Sequence, residues 1–123
     1  MKTDNGISVF GLGKLGCTML ACFAHKGWYV TGVDINEDFV KTVNNGKSPI
    51  YEPRVAELIN DNSEKIRATS DVDDAVKNSN ASFIIVPTPS EKNGSFNTRA
   101  VESVANSIGK SLKNKNEYHL IIV

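Results

Sequence analysis

The stretch VFGLGKLGCTMLACFAHKGWYVTGVD, from Val9 to Asp34, confines this chain to few folds. Ile7–Phe10 is a short β-branched and aromatic run that stops at Gly11, which predicts a buried strand. From there apolar residues recur at Leu12, Leu15, Met19 and Phe23, three or four apart, a spacing that predicts a helix. Gly27 is placed to end that helix as a left-handed cap. Trp28–Val33 predicts a second strand, closed by Asp34.

The same alternation continues to the end. Asn36 can cap a helix through Phe39, Val40 and Val43 to Gly46. Lys47–Pro53 is a proline-punctuated loop, and Val55–Ile59 a short helix. Ile66–Thr69 predicts a third strand, Asp71–Asn78 a capped helix, and Ala81–Val86 a fourth strand ending in the stiff turn Pro87-Thr88-Pro89. Ser90–Ser95 is polar, contains Gly94, and is expected to be the most mobile loop. Arg99–Leu112 is the longest helix, striped by Val101, Val104, Ala105, Ile108 and Leu112; His119–Val123 begins a fifth strand. Strands that are apolar throughout and alternate with helices imply an α/β fold, a doubly wound parallel sheet buried on both faces. The last residues lie inside an apolar strand, so the expectation is a sheet truncated after about the fifth strand, residues 1–123 being one domain of a longer protein.

Gly11-Leu12-Gly13-Lys14-Leu15-Gly16 fits G-x-G-x-x-G. Alone the pattern is weak. Here it follows a predicted strand, opens a predicted helix, and precedes Asp34 by 18 residues, near the roughly 20 that a dinucleotide site requires. Gly11 makes the tight turn, Gly13 lets backbone approach a pyrophosphate, and Gly16 lets helix and sheet pack closely. The helix start offers free N–H groups and about half a positive charge. Asp34 can accept both hydroxyls of the adenosine ribose, and it discriminates. A 2′-phosphate carries about −1.5 to −2 charge, and at an effective dielectric of about 20 a unit pair roughly 4 Å apart repels by about 4 kcal/mol. The expected cofactor is therefore NAD rather than NADP. Lys14 and Leu15 belong to the same candidate cradle. Lys14 falls in the first helical turn, where a cation opposes the dipole yet stands near the phosphates; a solvated side chain is the plainer reading.

Bulk properties exclude several classes. Fourteen basic residues balance fourteen acidic ones among 123, so no electrostatic case exists for nucleic acid or a membrane surface. The opening MKTDNG has no apolar core of a secretory signal, and no apolar run approaches the roughly 20 residues of a membrane span. The chain reads as cytoplasmic. Cys17 and Cys22 lie five apart in one predicted helix, which offers neither a metal site nor good disulfide geometry, and they read as packing residues. His25 and His119 are assigned structural places only.

Three further stretches narrow the choice: Val33–Pro53 (VDINEDFVKTVNNGKSPIYEP), Glu52–Ile59 (EPRVAELI) and Phe83–Pro89 (FIIVPTP). Together they resemble the amino-terminal domain of the UDP-glucose/GDP-mannose dehydrogenase family, over roughly Ile7 to Val123. The resemblance rests on Asn45-Gly46, Pro49-Ile50, Glu52-Pro53, the Val86-Pro87-Thr88-Pro89 turn, Gly94 and the long helix, in that order. It implies a Rossmann-type domain and NAD-dependent oxidation of a nucleotide sugar, with the C6 alcohol carried to a carboxylate in two hydride transfers through a thiohemiacetal on a cysteine. That cysteine and its assisting residues lie beyond this domain in the family, so no catalytic residue is assigned here. The resemblance also implies a homo-oligomer at full length. It brings Pro87 and Thr88 to the cofactor, and the Thr88 position has independent logic: a proline-braced turn at the carboxyl end of a strand faces the crevice where open α/β sheets bind ligands. Two features depart from the family pattern, Phe39 where a basic residue is frequent and Lys14 where an aromatic is. Phe39 reads as packing, and Glu52 and Tyr51 either border the crevice or help cap the next helix.

Two alternatives remain open at this point. A nucleotide-binding regulatory domain of a potassium-transport system shares the glycine loop and acid, and a hydroxyacid or sugar-phosphate dehydrogenase shares the first half.

Overall fold

A computed structural model describes residues 6–123. Five parallel strands form one sheet: β1 (Gly6–Phe10), β2 (Tyr29–Val33), β3 (Ile66–Thr69), β4 (Ala81–Ile84) and β5 (Leu120–Ile122), in the order β3-β2-β1-β4-β5. Among the described residues the helices are α1 (Lys14–His25), α2 (Glu37–Asn44), α3 (Val55–Asp61), α4 (Val72–Lys77) and α5 (Arg99–Leu112), with a 3-10 turn at Ser63–Lys65. This is the expected Rossmann-type α/β arrangement. The order reverses between β1 and β4, so the crevice for ligands opens at their carboxyl ends.

Two cores sandwich the sheet. On one face Ile7, Val9, Val30, Ile66 and Ala68 meet Cys17, Leu20, Ala21 and Ala24 of α1, with Val40, Val43, Val55 and Ile59 from α2 and α3. On the other Phe10, Val33 and Ile84 meet Ala75, Val76 and Ile108 of α4 and α5. Alternate residues of β1 thus serve opposite cores, as period-two geometry requires. The helix α2 begins as its sequence predicts: the Asn36 side chain accepts from Asp38 N and Phe39 N. Asp71 caps α4 by accepting from Asp74 N.

Several sequence expectations shift. The fully buried residues of α1 are Gly16, Cys17, Leu20, Ala21 and Ala24, while of the apolar residues that signalled the helix Leu12 is buried but precedes it, Leu15 is 60% exposed and Phe23 packs partly buried against the first core. Small residues at Gly16, Ala21 and Ala24 let the helix lie closer to the sheet than large ones would. The fourth strand stops at Ile84 rather than Val86, because its neighbour β1 turns away at Gly11 and only Ile85 N still reaches Phe10 O, at 2.8 Å. The edge strand β5 leaves Leu120 and Ile121 exposed rather than covered on both faces. Ala105 is exposed on α5, whose fully buried residue is Ile108. The Ser90–Ser95 segment is a hydrogen-bonded turn: Glu91 N donates to Ser95 O at 2.7 Å and Asn97 N to Pro89 O at 2.8 Å, with Ser90 and Phe96 paired antiparallel.

The sheet also buries polar groups. Ser8 and Ser82 are wholly buried with their hydroxyls 2.6 Å apart, and Ser79 joins them at 3.1 Å. His119 adjoins these hydroxyls, its Nε2 2.8 Å from Ser82 Oγ and its Nδ1 2.9 Å from Lys115 Nζ.

Candidate functional site

The turn out of β1 is fixed by contacts that exclude side chains. Gly11 has φ +110°, and a Cβ there would come within 2.9 Å of the Ile85 carbonyl carbon. A Cβ on Gly16 would stand 2.8 Å from the Gly11 carbonyl carbon and closer still to its oxygen. Gly13 is different: a Cβ there would meet nothing within 4 Å. Packing therefore explains Gly11 and Gly16 but does not explain Gly13.

Gly13 is the N-cap of α1, yet no side chain caps the helix and its first turn holds no acid. The first internal bond runs from Cys17 N to Gly13 O, at 2.9 Å, so the N–H groups of residues 13–16 have no partner within the helix. This is a donor-rich, electropositive end aimed at a ligand of negative charge.

It opens on a cavity of about 850 Å³ at the carboxyl ends of β1, β2 and β4. All eight residues singled out from the sequence line it: Gly11, Gly13, Lys14, Leu15 and Gly16 on one wall, Asp34 at the end of β2, Pro87 and Thr88 beyond β4. Asp34 is held rigidly. Its Oδ2 accepts from Leu12 N at 2.8 Å and its Oδ1 from Asn36 N at 2.9 Å. A carboxylate oxygen has two lone-pair sites, so each oxygen keeps one acceptor position for a further hydroxyl. The acid thus ties the glycine turn to β2 while presenting a diol-sized pair of acceptors.

Sequence reasoning missed part of the wall. Ile35, beside Asp34, is 96% exposed at the cavity, and Ser103, Val104 and Ser107 of α5 line its opposite side. An isolated apolar residue just past a strand end was the available signal for Ile35; nothing local marks the α5 residues. Phe39 packs against the first core, as expected, and also lines the cavity. Lys14 is not merely solvated: its Nζ lies 3.2 Å from Glu52 Oε2. The N-cap of α3 is Arg54 rather than Glu52 or Pro53, though the Glu52 carbonyl accepts from Val55 N at 3.1 Å, while Tyr51 is 87% exposed and is not part of the cavity wall.

The packing role expected of both cysteines holds for Cys17 alone, because Cys22 is exposed. Cys17 is fully buried with its thiol directed to Leu12 O at 3.2 Å; burial, and secondarily the Asp34 charge, pushes its pKa up to about 12. That thiol remains protonated, which is the packing role expected of it. Among the described residues no group of three or more histidine, cysteine or acidic side chains could hold a metal, and no helix is long and apolar enough to cross a membrane.

The fit to a dinucleotide is good: an open glycine, unpartnered helix-start donors and a fixed carboxylate across one crevice. Comparison with known proteins agrees. A sequence model of the UDP-glucose/GDP-mannose dehydrogenase family, NAD binding domain, matches residues 5–123. UDP-glucose 6-dehydrogenase AglM of Haloferax volcanii is 40% identical over 117 residues, covering 94% of this chain and 27% of that protein. GDP-mannose 6-dehydrogenase of Pseudomonas syringae pv. tomato is 42% identical over 119 residues, covering 95% of this chain and 27% of that protein. The crystal structure of a ternary complex of GDP-mannose dehydrogenase from Pseudomonas aeruginosa superposes with a TM-score of 0.91 at 38% identity, over 94% of this chain and 27% of that one. The chain thus spans about a quarter of each relative's length. With a match over almost every residue, the potassium-transport and hydroxyacid alternatives lose their ground, and the chain belongs to the UDP-glucose/GDP-mannose dehydrogenase family, as its NAD-binding domain.

Proposed function

We propose that this domain holds NAD with the diphosphate over the Gly11–Gly16 bend, the adenosine ribose on Asp34, and Thr88 and Pro87 beside the cofactor, as half of the active site of a nucleotide-sugar 6-dehydrogenase. One observation carries the reading: Gly13 has empty space where a side chain would sit, at a helix end with unpartnered donors. When bound, NAD supplies the hydride acceptor. The chain's own residues bind and orient it: the amides of residues 13–16 take the diphosphate, and Asp34 takes the diol. Asp34 also repels a 2′-phosphate, so NAD binds in preference to NADP.

The protein that carries this domain then oxidises the C6 alcohol of a UDP- or GDP-linked sugar to a carboxylate, works as a homo-oligomer in the cytoplasm, and engages neither nucleic acid nor membrane. Residues 1–123 form its dinucleotide-binding unit, and the catalytic cysteine belongs to the remainder. Calorimetric titration of the chain with NAD and NADP tests the cofactor reading: NAD is expected to bind at least tenfold more tightly, and equal affinities would refute the role of Asp34. The same chain mixed with NAD and UDP-glucose or GDP-mannose is expected to form no NADH; measurable turnover would overturn the assignment of the catalytic groups elsewhere.

A further inference from the structure

A lysine in the first turn of α1 faces the unfavourable end of the helix dipole. In this chain the cost is offset from a distance in sequence: Lys14 Nζ is paired with Glu52 Oε2 at 3.2 Å, joining the glycine turn to the loop before α3. Lys14 lines the cavity wall that ends in Gly13, whereas Glu52 does not. The helix itself supplies no acid in its first turn and no capping side chain, so the Glu52 carboxylate is an anion brought to that end by the loop. A diphosphate seated on the same amides would bring about two negative charges to the place where Glu52 now neutralises Lys14.

Resting on the NAD reading above, we propose that Glu52 is an affinity-setting residue. It competes with the cofactor diphosphate for Lys14, so that NAD binding transfers the ammonium from the carboxylate to the phosphates and releases the Glu52 loop. The pair is built for exchange rather than for stability. Its side chains are 73% and 36% exposed, and exposed pairs of this kind are worth little to the fold. Removing Glu52's charge leaves the main-chain bond from Val55 N to Glu52 O in place, so the start of α3 survives the substitution.

The test is a double-mutant cycle on NAD affinity, measured by calorimetry for the full chain, Glu52→Gln, Lys14→Gln and the double variant, with Asp34→Asn as control and thermal melts to check folding. Glu52→Gln is expected to tighten NAD by about twofold to fivefold, the range of an exposed charge pair. Lys14→Gln is expected to weaken it by a similar factor, and Glu52→Gln to have no effect once Lys14 is gone. Hydrogen exchange in residues 47–54 is expected to speed up on NAD addition in the parent chain but not in Lys14→Gln. Unchanged or weaker affinity in Glu52→Gln overturns the competition. Equal tightening with and without Lys14 also overturns it, since Glu52 would then act by direct repulsion alone. The two readings fail separately: loss of binding in Asp34→Asn with no Lys14–Glu52 coupling sinks only the exchange, while absence of NAD binding, or indifference to Asp34→Asn, sinks the cofactor site itself.

Discussion

Alanine at Gly16 and alanine at Gly13 are chemically the same change three residues apart, and the structure gives them opposite consequences. At Gly16 the new Cβ would stand 2.8 Å from the Gly11 carbonyl carbon, a backbone atom that moves only if the turn out of β1 moves. Overpacking of this kind costs about 1–3 kcal/mol, and the upper end applies where backbone rather than a side chain must yield. With an unfolding entropy of about 2.1 cal/mol/K per residue, a domain of this size loses roughly 4 °C of Tm per kcal/mol, so Gly16→Ala is expected to melt about 12 °C lower. At Gly13 the Cβ meets nothing, and φ −80°, ψ −161° is open to alanine. Reduced unfolded-state entropy favours the substitution by about 0.4–1 kcal/mol, and the poorer N-cap opposes it by about as much, leaving Tm within about 2 °C of the parent. Its effect falls on the ligand. The methyl group occupies the approach of the diphosphate, displacing one or two charge-assisted bonds worth about 1.5–3 kcal/mol each, so NAD affinity falls tenfold or more. Calorimetric melts and NAD titrations of both variants decide the matter. Parent-like affinity in Gly13→Ala would refute the reasoning, and so would parent-like melting in Gly16→Ala.

Other outcomes follow from single contacts. Asp34→Ala removes the acceptor of both Leu12 N and Asn36 N, so it should lower stability by about 1–3 kcal/mol as well as weaken NAD; Asp34→Asn, which keeps one acceptor oxygen, should separate the two effects in paired melts and titrations. Arg54 sits at φ +69° ahead of α3, a conformation that strains a side-chain-bearing residue by about 1–2 kcal/mol; glycine's greater unfolded-state entropy takes back about 0.5–1 kcal/mol, so Arg54→Gly should raise Tm by roughly 2–4 °C, and an unchanged or lower Tm would refute the strain. Burial raises the Cys17 thiol from its ordinary 9.0 to about 12 when folded, so the unfolded chain loses its proton first as pH rises. Its contribution is whole below about pH 9 and declines as pH rises toward about 12; denaturant melts should show this decline in the parent and not in Cys17→Ala. A thiol reagent should label Cys22, which is exposed, and spare Cys17 until the protein unfolds.

What was legible in the sequence was whatever depends on neighbours along the chain. The Asn36 and Asp71 caps, the glycine turn and the acid at the end of β2 are each decided within a few residues by backbone chemistry, and each falls where its pattern places it. Which residues of α1 face the sheet does not follow from apolar size. Leu15 is large and apolar, yet the sheet can accept only Gly16 at that level, since the Gly11 carbonyl occupies the space a side chain would need. The contacts that complete the site are long-range in a different sense. Glu52 reaches Lys14 across 38 residues, and Ser103 and Ser107 reach the cavity from a helix that local pattern marks only as amphipathic. Such meetings are set by the strand order, which places β4 beside β1 and carries α5 over the crevice, and the order cannot be read from any window of sequence shorter than the fold. The division is physical: hydrogen bonding of the main chain is local and leaves motifs, whereas the approach of charges across a crevice leaves none until the sheet has been assembled.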